Sequence, residues 1–415
     1  MTISSKSYPA RPWPVRATAD NAWLKYCLPL QFLLLGLVFA TWAGRIPAVR
    51  DALHLSAAQL GMALLCAGIG ALTAFPLAAA MVARLGQARA ALYGGAALLL
   101  ALPCIALAGS LPLLMLALAL LGGAAGCFDV AINATGSAAE QRAGRSIMSM
   151  LHAWFCVGTL TGALGGSVMA TLSVSPTIHF TLVAVLMAPL LWLSYRRIAP
   201  ALLRHTVEPD GPAARPAPLA QAGRRWLGLP DKPLLVLGVL GLCGAIAEGA
   251  VADWSGVFML DHAGSGAGQA PLAYAGFCAA MLITRLFADR CKDRFGAGRV
   301  VATGSVLAAA GIGMAVAAVN TSLAHTGARI ALANTGFALA GAGLAGVFPF
   351  VFSAAARRGA TGLAAVASIS YCGALVGPPV IGFLAVLAGL PAALASLSVL
   401  CTVVALIASR PGTFD

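Results

Sequence analysis

The sequence predicts an all-α integral membrane protein with twelve transmembrane helices arranged as two six-helix pseudo-repeats. Three observations carry this. First, 60% of the 415 residues are hydrophobic and only 9% are charged, against about 25% charge in an ordinary soluble domain. Second, apolar stretches of roughly 20 residues recur, each long enough to cross ~30 Å of hydrocarbon as a helix. Third, the short alternating segments of a membrane barrel are absent. Backbone in lipid must satisfy its own hydrogen bonds, so long apolar runs mean helices.

The expected spans are 24–44, 57–82, 90–109, 111–137, 147–172, 177–195, 233–259, 271–288, 299–319, 328–352, 362–388 and 391–409. Turns rich in Gly, Pro, Ser or charge separate them. The exception is a longer polar connector containing Glu208-Pro209-Asp210-Gly211-Pro212 and Arg215-Pro216-Ala217-Pro218, whose proline content makes it a loose linker. The chain divides into an N-terminal tail (1–23), an N-terminal six-helix half (24–195), a linker (196–232), a C-terminal six-helix half (233–410) and a C-terminal tail (411–415). Lys6, Arg11 and Arg16 precede the first apolar run, and no small-residue cleavage site follows it. It reads as an uncleaved span and not a signal peptide.

Net charge is +13, but its placement assigns it to topology. With the N-terminus cytoplasmic, inside segments hold 22 Lys and Arg, and outside segments hold Arg45, Arg50 and Arg329. The positive-inside rule then makes both termini and the linker cytoplasmic, and nucleic acid is not an expected partner. The ten cysteines show no CxxC pair and no metal spacing with His, so neither a disulfide framework nor a metal site is expected. No G-x-x-x-x-G-K-[ST] loop occurs, which excludes ATP-driven transport by this chain alone. There is no convincing catalytic grouping and no expected cofactor, so the chain is not read as an enzyme.

The halves echo each other. Arg84-Leu85-Gly86-Gln87-Ala88-Arg89 follows span 2, and Arg294-Phe295-Gly296-Ala297-Gly298-Arg299 follows span 8. Both read R-x-G-x-x-R, and Asp293 precedes the second. Glycine allows the tight turn, and the cations can hold helix C-terminal carbonyls or a neighbouring carboxylate. The motif reads either as a latch closing one face or as plain topology. Gly158-x-x-x-Gly162-x-x-Gly165-Gly166 and Gly341-x-Gly343-x-x-Gly346 permit close helix contact.

Polar groups inside spans are the functional candidates. Asp129 and Asn133 stand four apart in span 4, on one helix face. A carboxylate there costs roughly 2.5–3.5 kcal/mol on insertion scales, so it should face protein or water. It is a proton-accepting or solute-binding acid, or else an acid pinned for packing. His152 in span 5 could pair with Asp129, relay a proton or serve packing. Counted from Pro233, Glu248 is about 22 Å along span 7 and Asp253 about 30 Å. Glu248 reads as a second cavity acid or outer gate. Asp253 reads as an interfacial charge, with Trp254 in the interfacial aromatic belt. Arg285 precedes Asp289 by four residues and is expected to pair with it. Arg45 is expected to cap span 1. Gln31, Trp42, Asn334 and Tyr371 are weaker cavity candidates.

Across essentially the whole chain, the 6 + 6 spans, the central loop and the paired R-x-G-x-x-R turns resemble the major facilitator superfamily. Asp129-Val130-Ala131-Ile132-Asn133-Ala134 with Glu140, Met148 and His152, plus Glu248-Gly249 and Asp253-Trp254-Ser255, resembles its YbjJ-type transporters of bacterial inner membranes. That branch is similar, more distantly, to fucose/glucose-type sugar–proton symporters, whose span-4 acid takes part in proton coupling. The resemblance implies that role for Asp129. Two departures stand. Span 1 here has no acid, unlike the sugar symporters. Span 5 lacks the proline of the drug-antiporter motif. The expected function is therefore proton-coupled alternating-access transport of a small polar organic solute such as a sugar-like molecule, by a monomer in the bilayer. Efflux of hydrophobic compounds, and a non-transporting sensor or scaffold, are the alternatives.

Overall fold

The structure is a computed structural model that describes residues 26–143, 147–204, 231–320 and 325–414. The N-terminal tail and most of the linker lie outside the described residues, as do Arg145 and Asp415. The N-terminal half comprises α1 (Leu28–Ala43), α2 (Ile46–Ala52), α3 (Ala57–Leu85), α4 (Gln87–Ala106), α5 (Leu111–Ala143), α6 (Met148–Thr171) and α7 (Pro176–Arg204). The C-terminal half comprises α8 (Lys232–Asp261), α9 (Leu272–Phe295), α10 (Ala297–Asn320), α11 (Thr326–Leu344), α12 (Val347–Arg357), α13 (Ala360–Ala388) and α14 (Leu390–Ala408). Among the described residues eleven segments, α11–α12 counted as one, are long and apolar enough to cross a membrane, and the bent pair α1–α2 supplies a twelfth.

Two spans are broken. α2 turns 41° from α1 after Gly44-Arg45, an elbow the apolar run does not announce. Arg45 does not cap α1. It is 4% exposed and donates from Nη2 to the Val174 carbonyl at 2.5 Å, stapling the elbow to the α6–α7 turn. The tenth span breaks between α11 and α12 at Ala345-Gly346. α7 runs through Arg204, so the first residues of the expected linker are helical.

Local sequence explains the helix ends. Ser56 and Gln59 form a reciprocal capping box at the start of α3, a device that contributes about 1 kcal/mol. Gly86 and Gly296 end α3 and α9 with φ of 81° and 83°, a conformation costly for any residue with a Cβ. The echoed turns are thus the same structure twice. Glu140 Oε2 accepts the backbone N–H groups of Ile147 and Met148 at 2.8 and 3.0 Å, capping α6.

Packing repeats as well. Within the first half α3 packs on α5, α1 on α6, and α4 on α5 and α7. In the second half α9 packs on α11, α8 on α13, and α10 on α11 and α14. The halves meet along two seams, α3 with α13 and α6 with α9, which the repeat makes equivalent. Small residues set the distances. A Cβ on Gly158 would run into the Leu33 carbonyl of α1, and one on Gly373 into the Leu242 carbonyl of α8.

Candidate functional site

One end of the bundle carries the turns at Gly86, Gly296 and Arg357-Arg358-Gly359, and is here called the basic face. At the opposite face the halves are pressed together. Gly61 sits against Pro378 and Pro379, Gly256 against Pro47, and Gly268 against Thr171. Ser167 Oγ donates to the Gly268 carbonyl at 2.5 Å. Arg50 of α2 clamps Asp261 at the end of α8, Nη1 to Oδ2 at 2.5 Å and Nη2 to Oδ1 at 2.8 Å, and also holds Asp51. A cavity of about 650 Å³ opens beside this clamp, lined by Arg50, His54, Trp254, Asp261 and His262 among others.

The R-x-G-x-x-R charges, read as a latch or as plain topology, form no ion pair among the described residues. Arg84, Arg89, Asp293 and Arg294 are exposed on the basic face. Among the described residues the ion pairs are Arg50–Asp51 and Arg50–Asp261. Asp253 and Trp254 are corrections too. Trp254 is fully buried and Asp253 is 9% exposed, because α8 runs between the halves and its end meets α2 instead of lipid. The Arg50–Asp261 clamp escaped the sequence reading, which treated Arg50 as a stray outer charge. The signal was present: it is one of three cations on its side of the topology.

Deeper, the polar groups form two clusters. In the first, Asn133 Nδ2 donates to the Asp129 Oδ1 at 2.8 Å and to the Asp129 carbonyl at 2.9 Å. One helix face does join them, as the i, i+4 spacing predicts. Tyr371 of α13 is within electrostatic reach of Asp129 from the other half, and its ring meets Phe75 of α3 at 6.3 Å.

The second cluster lies on the other seam. Arg285 makes no ion pair with Asp289, which is exposed. Its guanidinium turns inward, Nη1 donating to Cys156 Sγ at 2.8 Å and Nε to the Ala345 carbonyl at 3.3 Å. The break at Ala345-Gly346 interrupts the helical ladder, and a cation fills the gap. Glu248 lies within electrostatic reach of Arg285 and close to the middle of α8, and its Oε2 is enclosed without a donor. His152 is solvent-accessible, packs edge-on against Phe32 at 5.4 Å, and lies within reach of Arg285. It makes no hydrogen bond to Asp129 among the described residues, so of the roles open to His152, pairing with Asp129 is not the one seen.

Three weaker candidates are resolved. Gln31 is 2% exposed and donates to Ser194 Oγ at 3.1 Å, tying α1 to α7. Trp42 is core. Asn334 has an enclosed Oδ1 with no donor. No group of three or more His, Cys, Asp or Glu suited to a metal occurs among the described residues, and all ten cysteines are free.

The family model for the Major Facilitator Superfamily matches residues 28–368. The transporter y4wD of Sinorhizobium fredii is 33% identical over 362 residues, covering 85% of this chain and 89% of the relative. An MFS-type transporter of Yersinia pestis, YPO1221/y2967, is 34% identical over 381 residues, covering 91% and 92%. Membrane protein MosC of Rhizobium meliloti is 30% identical over 377 residues, covering 88% and 84%. In three dimensions the nucleoside transporter NupG superposes with a TM-score of 0.68 at 14% identity, over 92% of this chain and 97% of that one. The chain therefore belongs to the Major Facilitator Superfamily, a family of membrane transporters and not of enzymes.

Proposed function

We propose that this protein moves a small polar organic solute, sugar-like in its hydrogen bonding, across a bacterial inner membrane by proton-coupled alternating access. Its branch is the YbjJ-type one, distantly similar to the sugar–proton symporters. The basic face is cytoplasmic, because basic residues crowd its turns. The clamped face is then external, and the conformation is the one that loads or releases solute on the inside.

The observation that carries the coupling is the Asp129–Asn133 pair. A carboxylate within a membrane span is costly unless it works. Here it is held by a neutral amide of its own helix and not by a cation, so it can gain and lose a proton without breaking an ion pair. Tyr371 on the other half lies within electrostatic reach of it, so its protonation is linked to the relation of the halves. Rocking 24–195 against 233–410 then opens the Arg50–Asp261 clamp and closes the basic face. The polar central groups favour this over efflux of hydrophobic compounds.

The test is counterflow and proton-driven accumulation in proteoliposomes. Asp129→Asn is expected to abolish accumulation against a gradient while sparing exchange. Undiminished proton-driven accumulation by Asp129→Asn removes Asp129 from coupling.

A further inference from the structure

Glu248 and Arg285 stand at the same depth. Glu248 is thirteen residues before Asp261, the end of α8 (261 − 248), and Arg285 is thirteen after Leu272, the start of α9 (285 − 272). Both lie about 20 Å along their helices from the clamped face. Their charges feel each other, yet they are not joined. Arg285 spends its guanidinium on a thiol and a carbonyl. A thiol sulfur is a weak acceptor. Glu248 Oε2 is enclosed with no donor. Nη2 of Arg285 has no partner among the described residues.

Stability alone does not favour this arrangement. Two opposite charges in a membrane interior gain most by pairing directly, with fork-to-carboxylate geometry. Instead the α11–α12 break holds the guanidinium toward Ala345 and the carboxylate remains apart. A donor-rich cation and an acceptor-only anion left unjoined at one depth make a complementary pair for a third body. That body offers an acceptor to Arg285 and a donor to Glu248. Accessible His152 on the facing helix adds a further hydrogen-bonding group.

We infer that Arg285 and Glu248 are the recognition pair for a polyhydroxylated organic acid, a sugar acid in chemical class, whose carboxylate lies on the Arg285 guanidinium and whose hydroxyls donate to Glu248. This rests on the solute-carrier reading above and narrows it from polar solutes to acidic ones. Arg285 is thereby a specificity-determining residue and not a brace for Asp289.

The experiment is a thermal-shift and equilibrium-binding series on the purified full-length protein with D-glucose, D-glucuronate and D-gluconate. The acids are expected to raise the melting temperature and glucose to leave it unchanged. Arg285→Gln is expected to weaken acid binding about 30-fold with elution profile intact, and Arg285→Lys to restore part of it. Glu248→Gln is expected to weaken both acids while keeping their preference over glucose. Equal stabilisation by glucose, no stabilisation by either acid, or acid binding unaffected by Arg285→Gln overturns the inference. So does an Arg285→Gln protein with a lower basal melting temperature but unchanged preference, which assigns Arg285 to bracing the helix break. Binding needs no proton gradient. An acid-specific shift that survives in Asp129→Asn therefore supports this pair even where Asp129 fails its coupling test.

Discussion

The two seams between the halves are the same place in the repeat and carry opposite chemistry. Phe75 precedes the turn Gly86 by eleven residues (86 − 75), and Arg285 precedes the turn Gly296 by eleven (296 − 285). Their partners correspond as well. Cys156 and Tyr371 each stand two residues before a glycine, Gly158 or Gly373, that packs on a neighbouring backbone carbonyl. One seam is thus Phe75 against Tyr371, and the other is Arg285 against Cys156. The spans behind them diverge in the same way. α5 is continuous and carries Asp129 with its own Asn133, whereas the tenth span breaks at Ala345 and receives Arg285. Duplication built the scaffold. Equivalent positions are filled differently, with a carboxylate and its neutral partner on one side and an unjoined pair of opposite charges on the other.

Scaffold substitutions should cost alike in both halves, and they are the largest effect. Gly158→Leu and Gly373→Leu each force a side chain into a backbone carbonyl. Each should cost about 3 kcal/mol, seen as a steep fall in melting temperature. Gly165, which faces open space, should tolerate Ala within about 1 kcal/mol. A large difference between Gly158→Leu and Gly373→Leu would break the equivalence of the halves.

Seam substitutions should cost unequally. Arg285→Phe copies the aromatic seam onto the polar one and leaves the Ala345 carbonyl unpaired. Uptake of any solute the wild type accumulates should fall about 30-fold. The clamped face belongs to neither seam, so its charges should tune the balance of states. Asp261→Asn removes a partly exposed pair (side chains 14% and 35% accessible for Arg50 and Asp261). After solvent screening that is about 1 kcal/mol, a roughly fivefold shift away from this closed face. Labelling of a cysteine placed at Ser167, which is buried at this closed face, reads it out. Phe75→Leu should do least. It weakens a distant ring contact worth about 0.5 kcal/mol, a change of about twofold in the same assay. A Phe75→Leu effect matching that of Arg285→Phe would mean that the seams are not functionally distinct.

Much of the fold was legible from one dimension. Each apolar run became a helix, because lipid leaves a backbone no other way to satisfy its hydrogen bonds, although α5, α7 and α9 run six, nine and seven residues past their expected C-terminal ends. The R-x-G-x-x-R echo marked the repeat, and Gly86 and Gly296 confirm it with matching positive φ. The Asp129–Asn133 contact also followed from local spacing, since i and i+4 share a helix face. Where partners lie in other helices, spacing misled. Arg285 has Asp289 one turn away and ignores it. Trp254 has the composition of an interfacial anchor and is core. Arg45 sits at a span end and reaches another loop.

The sequence by itself did not determine the burial of Asp253, but it determined the membrane, the count of spans, the duplicated halves and the presence of Asp129 and Glu248 within spans. These depend on composition and on periodicities internal to one helix. Only the tertiary structure decided that Arg50 clamps Asp261 across the halves, that a helix break at Ala345 captures Arg285, and that Glu248 is left unjoined beside it. Those contacts join residues from 60 to 211 positions apart in the chain. Each depends on how far glycine-lined helices approach and which way their faces turn, quantities that only packing in three dimensions sets.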